Sequence, residues 1–325
     1  MTSIQIETNI LNKWIEQFLP EYDLFFFPKK YGTVVEHFTS NTLLMPKEEF
    51  SNHTIFNNIN SRNSYQVWNI HKDIQFVCVA NPSLIMQWDK ETRERIFQIQ
   101  FEVNRGSIYE WDIIECVLEG ITSPSSKATI LQHVSPYSFT YNSKRYISMQ
   151  KALWDNLHKE FQYKFLLLLT KQFVYQTSLS EKKIKKFEEK SPYIAPYFNT
   201  FSTANGANCL AATLASICSE KSETKWIITK WVHDNSFLKG LQIKQYRLKS
   251  ASIDSLQPSD ILVWKNEKNK VLHASFHLGD GYFFNKDAIT LKNKDCIFKW
   301  KDTVFNNHLF YKENPLSFTT LKNSE

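Results

Sequence analysis

The chain has 325 residues, of which 42% are hydrophobic and 15% aromatic, and a formal net charge of +6. It can bury a large core, and its length favours two domains. Lysine and arginine are interspersed with aspartate and glutamate without a long basic run, which argues against a nucleic-acid-binding protein. The densest apolar run, residues 165–169, is far too short for a membrane span.

Five cysteines are scattered along the chain without Cys-x-x-Cys spacing. An odd number in this arrangement argues against a disulfide framework and against a structural zinc site. The N-terminus lacks a basic region followed by an apolar stretch. A reducing, cytoplasmic location is therefore expected, and export by a route without a cleavable signal is left open.

The first half shows both helical and strand periodicity. Apolar residues at helical spacing predict a helix over residues 6–18, and a second, long helix is predicted over residues 148–175. Between them, Phe97, Ile99, Phe101 and Val103 alternate with polar residues, which predicts a half-buried strand. These patterns predict a mixed α/β N-terminal domain over residues 1–180, without indicating its role.

Residues 180–190 are strongly charged, and two prolines follow within residues 191–196. Prolines oppose helix continuation, so this segment is predicted to be a linker. A second domain is then expected over residues 190–325.

Cys209 is predicted to lie in the first turn of a helix. Asn205-Gly206 marks a turn, Asn208 suits the N-cap, and apolar residues at helical spacing follow Cys209. The helix N-terminus and an adjacent imidazolium can lower a thiol pKa from about 8.5 to roughly 3.5–7.5. A buried structural cysteine is the alternative, and it is the role expected for Cys218, which is predicted to lie later in the same helix.

A β-hairpin is predicted downstream. A buried strand is expected to end at Trp264, and strands over residues 271–278 and 282–285 flank the tight turn Gly279-Asp-Gly281. His273 and Asn285 then lie near the open end of the hairpin and are expected to be neighbours. His277 falls on the same strand face as His273, but a His-x-x-x-His metal pair requires a helix, so neither a metal nor another cofactor is expected.

Around these residues the chain resembles the NlpC family of papain-like cysteine peptidases, most of whose members cut bacterial cell-wall peptides. In that pattern a tyrosine lies twelve residues before the catalytic cysteine, and a Gly-Asp-Leu-Val strand precedes a His-Val-Gly-Ile-Tyr strand. Tyr197 lies twelve residues before Cys209. Residues 259–263, Ser-Asp-Ile-Leu-Val, correspond to the Gly-Asp-Leu-Val strand of the family. Asn285 follows His273 by twelve residues, as the third polar residue of the family does.

The resemblance covers roughly residues 190–300. It implies an α+β, papain-like domain in which the helix that carries Cys209 packs on an antiparallel sheet. It further implies Cys209 as the nucleophile, His273 as general base and acid, and Asn285 as the group that orients the imidazole. Tyr197 and Asn208 are implied to lie on the oxyanion or substrate-binding side, where Tyr197 and the Cys209 amide assist the oxyanion.

The chain also departs from the family pattern. Cell-wall members usually read Asp-Cys-Ser-Gly at the nucleophile, whereas residues 208–211 read Asn-Cys-Leu-Ala, so the carboxylate that binds the substrate amine is missing. The expected function is therefore a thiol hydrolase, a cysteine peptidase or amidase, whose substrate is a peptide or amide but not a typical cell-wall peptide. An acyltransferase that passes the acyl group from Cys209 to an amine or alcohol is one alternative. A catalytically inactive binding module is the other, and the sequence leaves the oligomeric state open.

Overall fold

The computed structural model describes residues 6–35, 42–65, 67, 70, 72–173, 179–203, 205–249, 255–265, 268–286, 294–299 and 316–320. The fold is mixed α+β, with helices and antiparallel sheets. Contacts divide the chain into an N-terminal unit, residues 1–172, and a C-terminal unit, residues 173–325. In the described part of the chain, none of the helices has both the length and the apolar character that a bilayer span requires.

The N-terminal unit contains two three-stranded antiparallel sheets, with strand orders β1-β3-β2 and β4-β6-β5. Its strands are β1 (Asp23–Pro28), β2 (Thr42–Pro46), β3 (Ile74–Ala80), β4 (Ile108–Glu110), β5 (Ser138–Tyr141) and β6 (Lys144–Ser148). Its helices are α1 (Thr8–Gln17), α2 (Gly32–Val35), α3 (Lys47–Asn52), α4 (Ile59–Ser64), α5 (Lys90–Glu102), α6 (Asp112–Glu119), α7 (Pro124–Val134), α8 (Lys151–Asn156) and α9 (Lys159–Phe173).

The helix predicted near the N-terminus is confirmed as α1, but the predicted strand around Phe97 and Ile99 is wrong. These residues lie in α5, whose buried side chains also include Ile96 and Gln100 and therefore recur at helical spacing. Asp89 caps this helix by accepting a hydrogen bond from the Thr92 amide at 2.9 Å. The apolar residues that alternate in this segment belong to the buried face of α5. The N-cap residue Asp89 was the sequence signal that could have predicted the helix.

The single long helix predicted over residues 148–175 is also wrong, because helices α8 and α9 replace it; its predicted end, Tyr175, lies outside the described residues. Leu157 has an extended backbone and ends α8. The Gln162 side chain donates a hydrogen bond to the Trp154 carbonyl at 2.6 Å, so this end of α8 is satisfied from within α9. A tertiary contact therefore stabilises a break that apolar periodicity does not reveal.

Asp23, the first residue of β1, is a completely buried carboxylic acid. Its Oδ1 atom accepts hydrogen bonds from the Tyr65 hydroxyl at 2.8 Å and from the Lys151 amide at 3.0 Å. Among the described residues, none donates a hydrogen bond to the buried Oδ2 atom. Burial therefore raises the pKa of Asp23 to about 6, against the lowering effect of these two hydrogen bonds.

Acid should consequently stabilise the N-terminal unit. Asp23 is neutral in the folded state up to about pH 6, whereas an unfolded aspartate ionises near 3.8, so the stabilisation is complete below pH 3.8 and is lost as the pH rises through about 6. The shift corresponds to about 3 kcal/mol of unfolding free energy. Urea denaturation at several pH values should show this dependence in the wild type and its loss in Asp23→Asn. The control Asp112→Asn, at an exposed carboxylate in α6, should keep it; an unchanged pH dependence in Asp23→Asn would contradict the assignment.

The C-terminal unit is built on a seven-stranded sheet with the order β7-β12-β11-β10-β9-β13-β8 and antiparallel pairing throughout. Its strands are β7 (Thr200–Phe201), β8 (Tyr246–Lys249), β9 (Ile261–Lys265), β10 (Val271–Gly279), β11 (Tyr282–Lys286), β12 (Lys294–Lys299) and β13 (Leu316–Thr320). Its helices are α10 (Glu181–Lys190), α11 (Cys209–Ser216), α12 (Lys221–Ile227) and α13 (Asp234–Ile243).

The charged segment predicted to be a linker is instead helix α10, which belongs to the C-terminal unit. Phe187 lies in the hydrophobic core of the C-terminal unit, and its ring centroid is 5.6 Å from that of Tyr282. Lys186 forms a 2.9 Å ion pair with Asp280 in the hairpin turn, and the Lys183 ammonium lies 4.1 Å from the Tyr282 ring centroid. One buried aromatic residue and two cations thus hold this helix on the β10–β11 hairpin.

Candidate active site

Cys209 begins helix α11, and Asn208 is its N-cap, as the sequence predicted. The Ala211 amide donates to the Asn208 Oδ1 atom at 3.0 Å, and the Asn208 side-chain nitrogen donates to the Val232 carbonyl at 2.7 Å. Asn208 therefore both caps the helix and ties its start to the segment before α13. Cys209 is partly buried and packs against the apolar core of the C-terminal unit.

The other described cysteines differ from Cys209 in their surroundings. Cys218 is buried, as expected, but it lies beyond the end of α11 rather than within the helix, and its Sγ atom donates to the Leu214 carbonyl at 3.3 Å. Burial raises the pKa of both Cys218 and Cys78 to about 12, so these thiols stay protonated at neutral pH. Cys116 is exposed, and the side chain of Cys296 lies outside the described part of the chain.

Strands β10 and β11 form the predicted hairpin. Phe276 pairs with Phe284 and His277 with Phe283. Gly279 and Gly281 in the turn have φ angles of +109° and +73°, a region that glycine adopts without a steric penalty. If the pairing of Phe276 with Phe284 is extended by one residue, Asn285 lies opposite residue 275. Asn285 and His273 are therefore diagonal neighbours on one face of the hairpin and not a directly opposed pair.

Ser275 lies between the two predicted site residues. Its hydroxyl donates a hydrogen bond to the Asn285 Oδ1 atom at 3.2 Å and lies 3.5 Å from the His273 Nε2 atom. The exposed fractions of His273, Ser275 and Asn285 are 3%, 0% and 1%. The Trp264 ring, opposite His273 on β9, lies 5.2 Å from the imidazole between centroids. The three polar residues, hereafter the His273–Ser275–Asn285 cluster, are thus shielded from water.

The imidazole of His273 is neutral at physiological pH. Burial lowers its pKa to about 4, although a hydrogen bond with Asn285 acts in the opposite direction. A neutral ring carries no positive charge that could stabilise a thiolate, and the effect of an imidazolium on the pKa of the Cys209 thiol stays a prediction. A neutral imidazole can nevertheless accept a proton as a general base.

Helix α11 packs against both β10 and β11, the two strands that carry the cluster. Ala274 and Phe276 of β10 join the apolar core that contains Leu210 of α11. Side chains alternate along a strand, so His273 and Ser275 lie on the opposite face from Ala274 and Phe276. A register irregularity between Val271 and His273 immediately precedes the histidine, and such bulges can redirect a side chain next to an active site.

His277, the other histidine of this strand, has a structural role. Its Nδ1 atom lies 2.8 Å from the Gln257 carbonyl oxygen, and its Nε2 atom accepts a hydrogen bond from the Gly281 amide at 3.3 Å. These contacts require the tautomer protonated on Nδ1 and use both ring nitrogens. Within the described ranges, no group of three His, Cys, Asp or Glu side chains forms a potential metal site.

Tyr197 ends a single 3-10 turn, Ala195–Tyr197, that precedes β7. Its ring is partly buried against the core that Cys209 also contacts, and burial raises the pKa of its hydroxyl. The Thr200 hydroxyl donates to the Tyr197 carbonyl at 3.0 Å, which stabilises the turn into β7. Tyr197 and Cys209 therefore both lie at the margin of one apolar core.

Sequence reasoning missed Ser275 and Trp264. The signal for Ser275 was its position two residues after His273, hence on the same strand face, whereas Trp264 could be placed only by the pairing of β9 with β10. The structure brings together His273, Ser275 and Asn285 and places Cys209 at the start of the helix that packs on their strands.

No protein-family model, curated protein or solved structure matches this chain.

Proposed function

We propose that the C-terminal unit is a papain-like, NlpC-type thiol enzyme that forms an acyl-enzyme on Cys209 from a peptide or amide substrate. The observation that carries this proposal is the buried His273–Ser275–Asn285 cluster on β10 and β11, the strands whose other face packs against the helix that Cys209 begins. A helix N-terminus favours a thiolate, and the neutral imidazole of His273 has a lone pair that can accept the thiol proton.

In the proposed reaction, the imidazole of His273 takes the proton from Cys209. The Sγ atom attacks the substrate carbonyl carbon, and the backbone amide of Cys209 and the hydroxyl of Tyr197 stabilise the oxyanion. The C–N bond then breaks, the imidazolium returns its proton to the leaving amine, and a thioester remains. Water, activated by the same imidazole, hydrolyses the thioester and regenerates the thiol.

A small activated ester, p-nitrophenyl acetate, tests whether Cys209 forms an acyl-enzyme. We expect intact-mass and peptide analysis to find one acetyl group on Cys209, removable by neutral hydroxylamine, and Cys209→Ala to lack it. Cys116 is the internal control, because it is exposed but belongs to the N-terminal unit. Acetylation of Cys116 with an unmodified Cys209 would refute the proposed nucleophile.

Acyl transfer to an amine or alcohol is the second candidate, and the burial of the cluster favours it. The almost complete burial of His273 and Ser275 limits the access of the water that hydrolysis needs. The two functions differ in the fate of the acetyl thioester. A transferase should discharge it to added amines, relative to water, in a higher ratio than a free acetyl thioester does, whereas a hydrolase should lower that ratio.

A further inference from the structure

We propose that Asn208 is a positioning residue that fastens the start of the Cys209 helix to Val232, in the connection between α12 and α13, and thereby holds the Cys209 backbone amide in place for the oxyanion. This inference rests on the proposed function, because it concerns the geometry of the same nucleophile. It gives Asn208 a role different from the substrate contact that the sequence resemblance implied.

The contacts of the Asn208 side chain determine the orientation of its amide. The Oδ1 atom accepts hydrogen bonds from the Ala211 amide at 3.0 Å and from the Val232 amide at 3.4 Å. The Nδ2 atom donates to the Val232 carbonyl at 2.7 Å. A backbone N–H can only donate and a carbonyl can only accept, so the reversed amide would mismatch all three partners. The oxygen thus caps the helix, and the NH2 group reaches the other segment.

Val232 is a well-anchored partner for this side chain. Its own side chain packs against the hydrophobic core of the C-terminal unit. The next residue, His233, is the N-cap of α13, and the Phe237 amide donates to its carbonyl at 2.9 Å. Asn208, which is only 5% exposed, therefore joins the starts of two helices. Loss of its NH2 group leaves the Val232 carbonyl without this donor and loosens the first turn of α11.

The same contacts show why an amide is needed at position 208. Both lone pairs of the Oδ1 atom are occupied by backbone N–H groups, so this oxygen is not available to a substrate amine. A carboxylate would place a second oxygen where Nδ2 now lies, 2.7 Å from the Val232 carbonyl oxygen. The Cys209 amide, the proposed oxyanion donor, is the next N–H along the chain. A misplacement of about 1 Å in such a group can slow a reaction by about 10²-fold.

The test separates capping from fastening. Asn208→Ser keeps a neutral N-cap oxygen but lacks the NH2 group, and Asn208→Asp keeps the shape of the side chain but replaces the NH2 group by an oxygen. The matched control is Asn58→Ser at the N-cap of α4, where the Asn58 Nδ2 atom donates to the Ile55 carbonyl at 2.5 Å. Three quantities are measured on the full chain: Cys209 acetylation by p-nitrophenyl acetate, its alkylation by iodoacetamide as a function of pH, and hydrogen–deuterium exchange of residues 230–236.

We expect Asn208→Ser to slow acetylation by about tenfold to a hundredfold and to speed exchange in residues 230–236. The midpoint of its alkylation profile should stay at the wild-type pH, because alkylation forms no oxyanion. Asn208→Asp should slow acetylation at least as much, and Asn58→Ser should leave all three quantities unchanged. Wild-type acetylation and exchange in Asn208→Ser would overturn the inference, and so would an equal slowing of acetylation and alkylation.

Failure of the inference is distinguishable from failure of the proposed function. If the wild type forms no acetyl adduct on Cys209, the proposed function fails. If the wild type is acetylated and Asn208→Ser reacts at the same rate, the function stands and the positioning role is refuted. Should Asn208→Ser not fold, Asn208→Asp decides the same question, and rapid exchange of the Val232 amide in the wild type would by itself refute the role.

Discussion

His273→Gln should slow the acylation of Cys209 by about 10²–10⁴-fold at neutral pH, which is the usual contribution of a general base. Glutamine keeps a polar side chain at the buried position but cannot take up the thiol proton. The measurement is the pre-steady-state release of p-nitrophenol from p-nitrophenyl acetate, with the acetyl adduct located by peptide mapping. Circular dichroism and thermal unfolding would show whether the variant remains folded.

His277→Gln is the matched control, because it changes the same residue type on the same face of β10. Both ring nitrogens of His277 are already used by Gln257 and Gly281, so its replacement should reduce stability and leave acylation of the folded protein unchanged. An equal loss of acylation in both variants would indicate a general disturbance of the strand. A normal rate in His273→Gln would show that the imidazole does not reach Cys209.

The pH dependence of acylation offers a further check on the same variant. The folded-state pKa of His273 is lowered to about 4, so the base should remain available well below the 6.5 of an ordinary histidine. The acidic limb of the wild-type rate should therefore lie near pH 4 and be absent in His273→Gln. A rate that follows the ionisation of an unperturbed thiol, near pH 8.5, would contradict general-base catalysis.

Phe187→Ala should lower the unfolding free energy of the C-terminal unit by about 3–5 kcal/mol, the usual cost of deleting a buried aromatic side chain. Phe187 is only 1% exposed and packs against Tyr282 of the hairpin. Without this ring, α10 keeps the exposed Lys186–Asp280 ion pair and the Lys183–Tyr282 contact, and exposed ion pairs contribute little. Urea denaturation gives the free energy, and tryptic cleavage within α10 gives the local effect.

The lysines of α10 should resist trypsin in the wild type and be cut in Phe187→Ala. Lys185→Ala, on the exposed side of the same helix, is the control and should change the unfolding free energy by less than about 0.5 kcal/mol. Rapid cleavage within α10 in the wild type, or a negligible effect of Phe187→Ala, would restore the interpretation of this segment as a linker.

Several features near the candidate site could be predicted from the sequence, because neighbouring residues determine them. Asn208 caps α11 through a hydrogen bond to the amide three residues later, so the helix start follows from local chemistry. The hairpin turn likewise follows from Gly279 and Gly281, whose positive φ angles suit glycine. The spacing of Cys209, His273 and Asn285 suggested the chemistry, which stays a proposal.

Other features depend on contacts between residues far apart in the chain. The charged composition of α10 predicts a solvated linker, whereas the packing of Phe187 on Tyr282 and the contacts of Lys183 and Lys186 with the hairpin make it part of the C-terminal unit. The break between α8 and α9 likewise depends on the hydrogen bond from Gln162 to the Trp154 carbonyl.

At the candidate site, the sequence by itself determined which residue types are present and that Cys209 starts a helix. The tertiary structure decided the diagonal placement of His273 and Asn285, the insertion of Ser275 between them, and the burial that lowers the pKa of His273 to about 4. The physical reason is that capping and turn preferences act over a few residues. Strand register and desolvation, in contrast, depend on which distant side chains cover a group once the chain has folded.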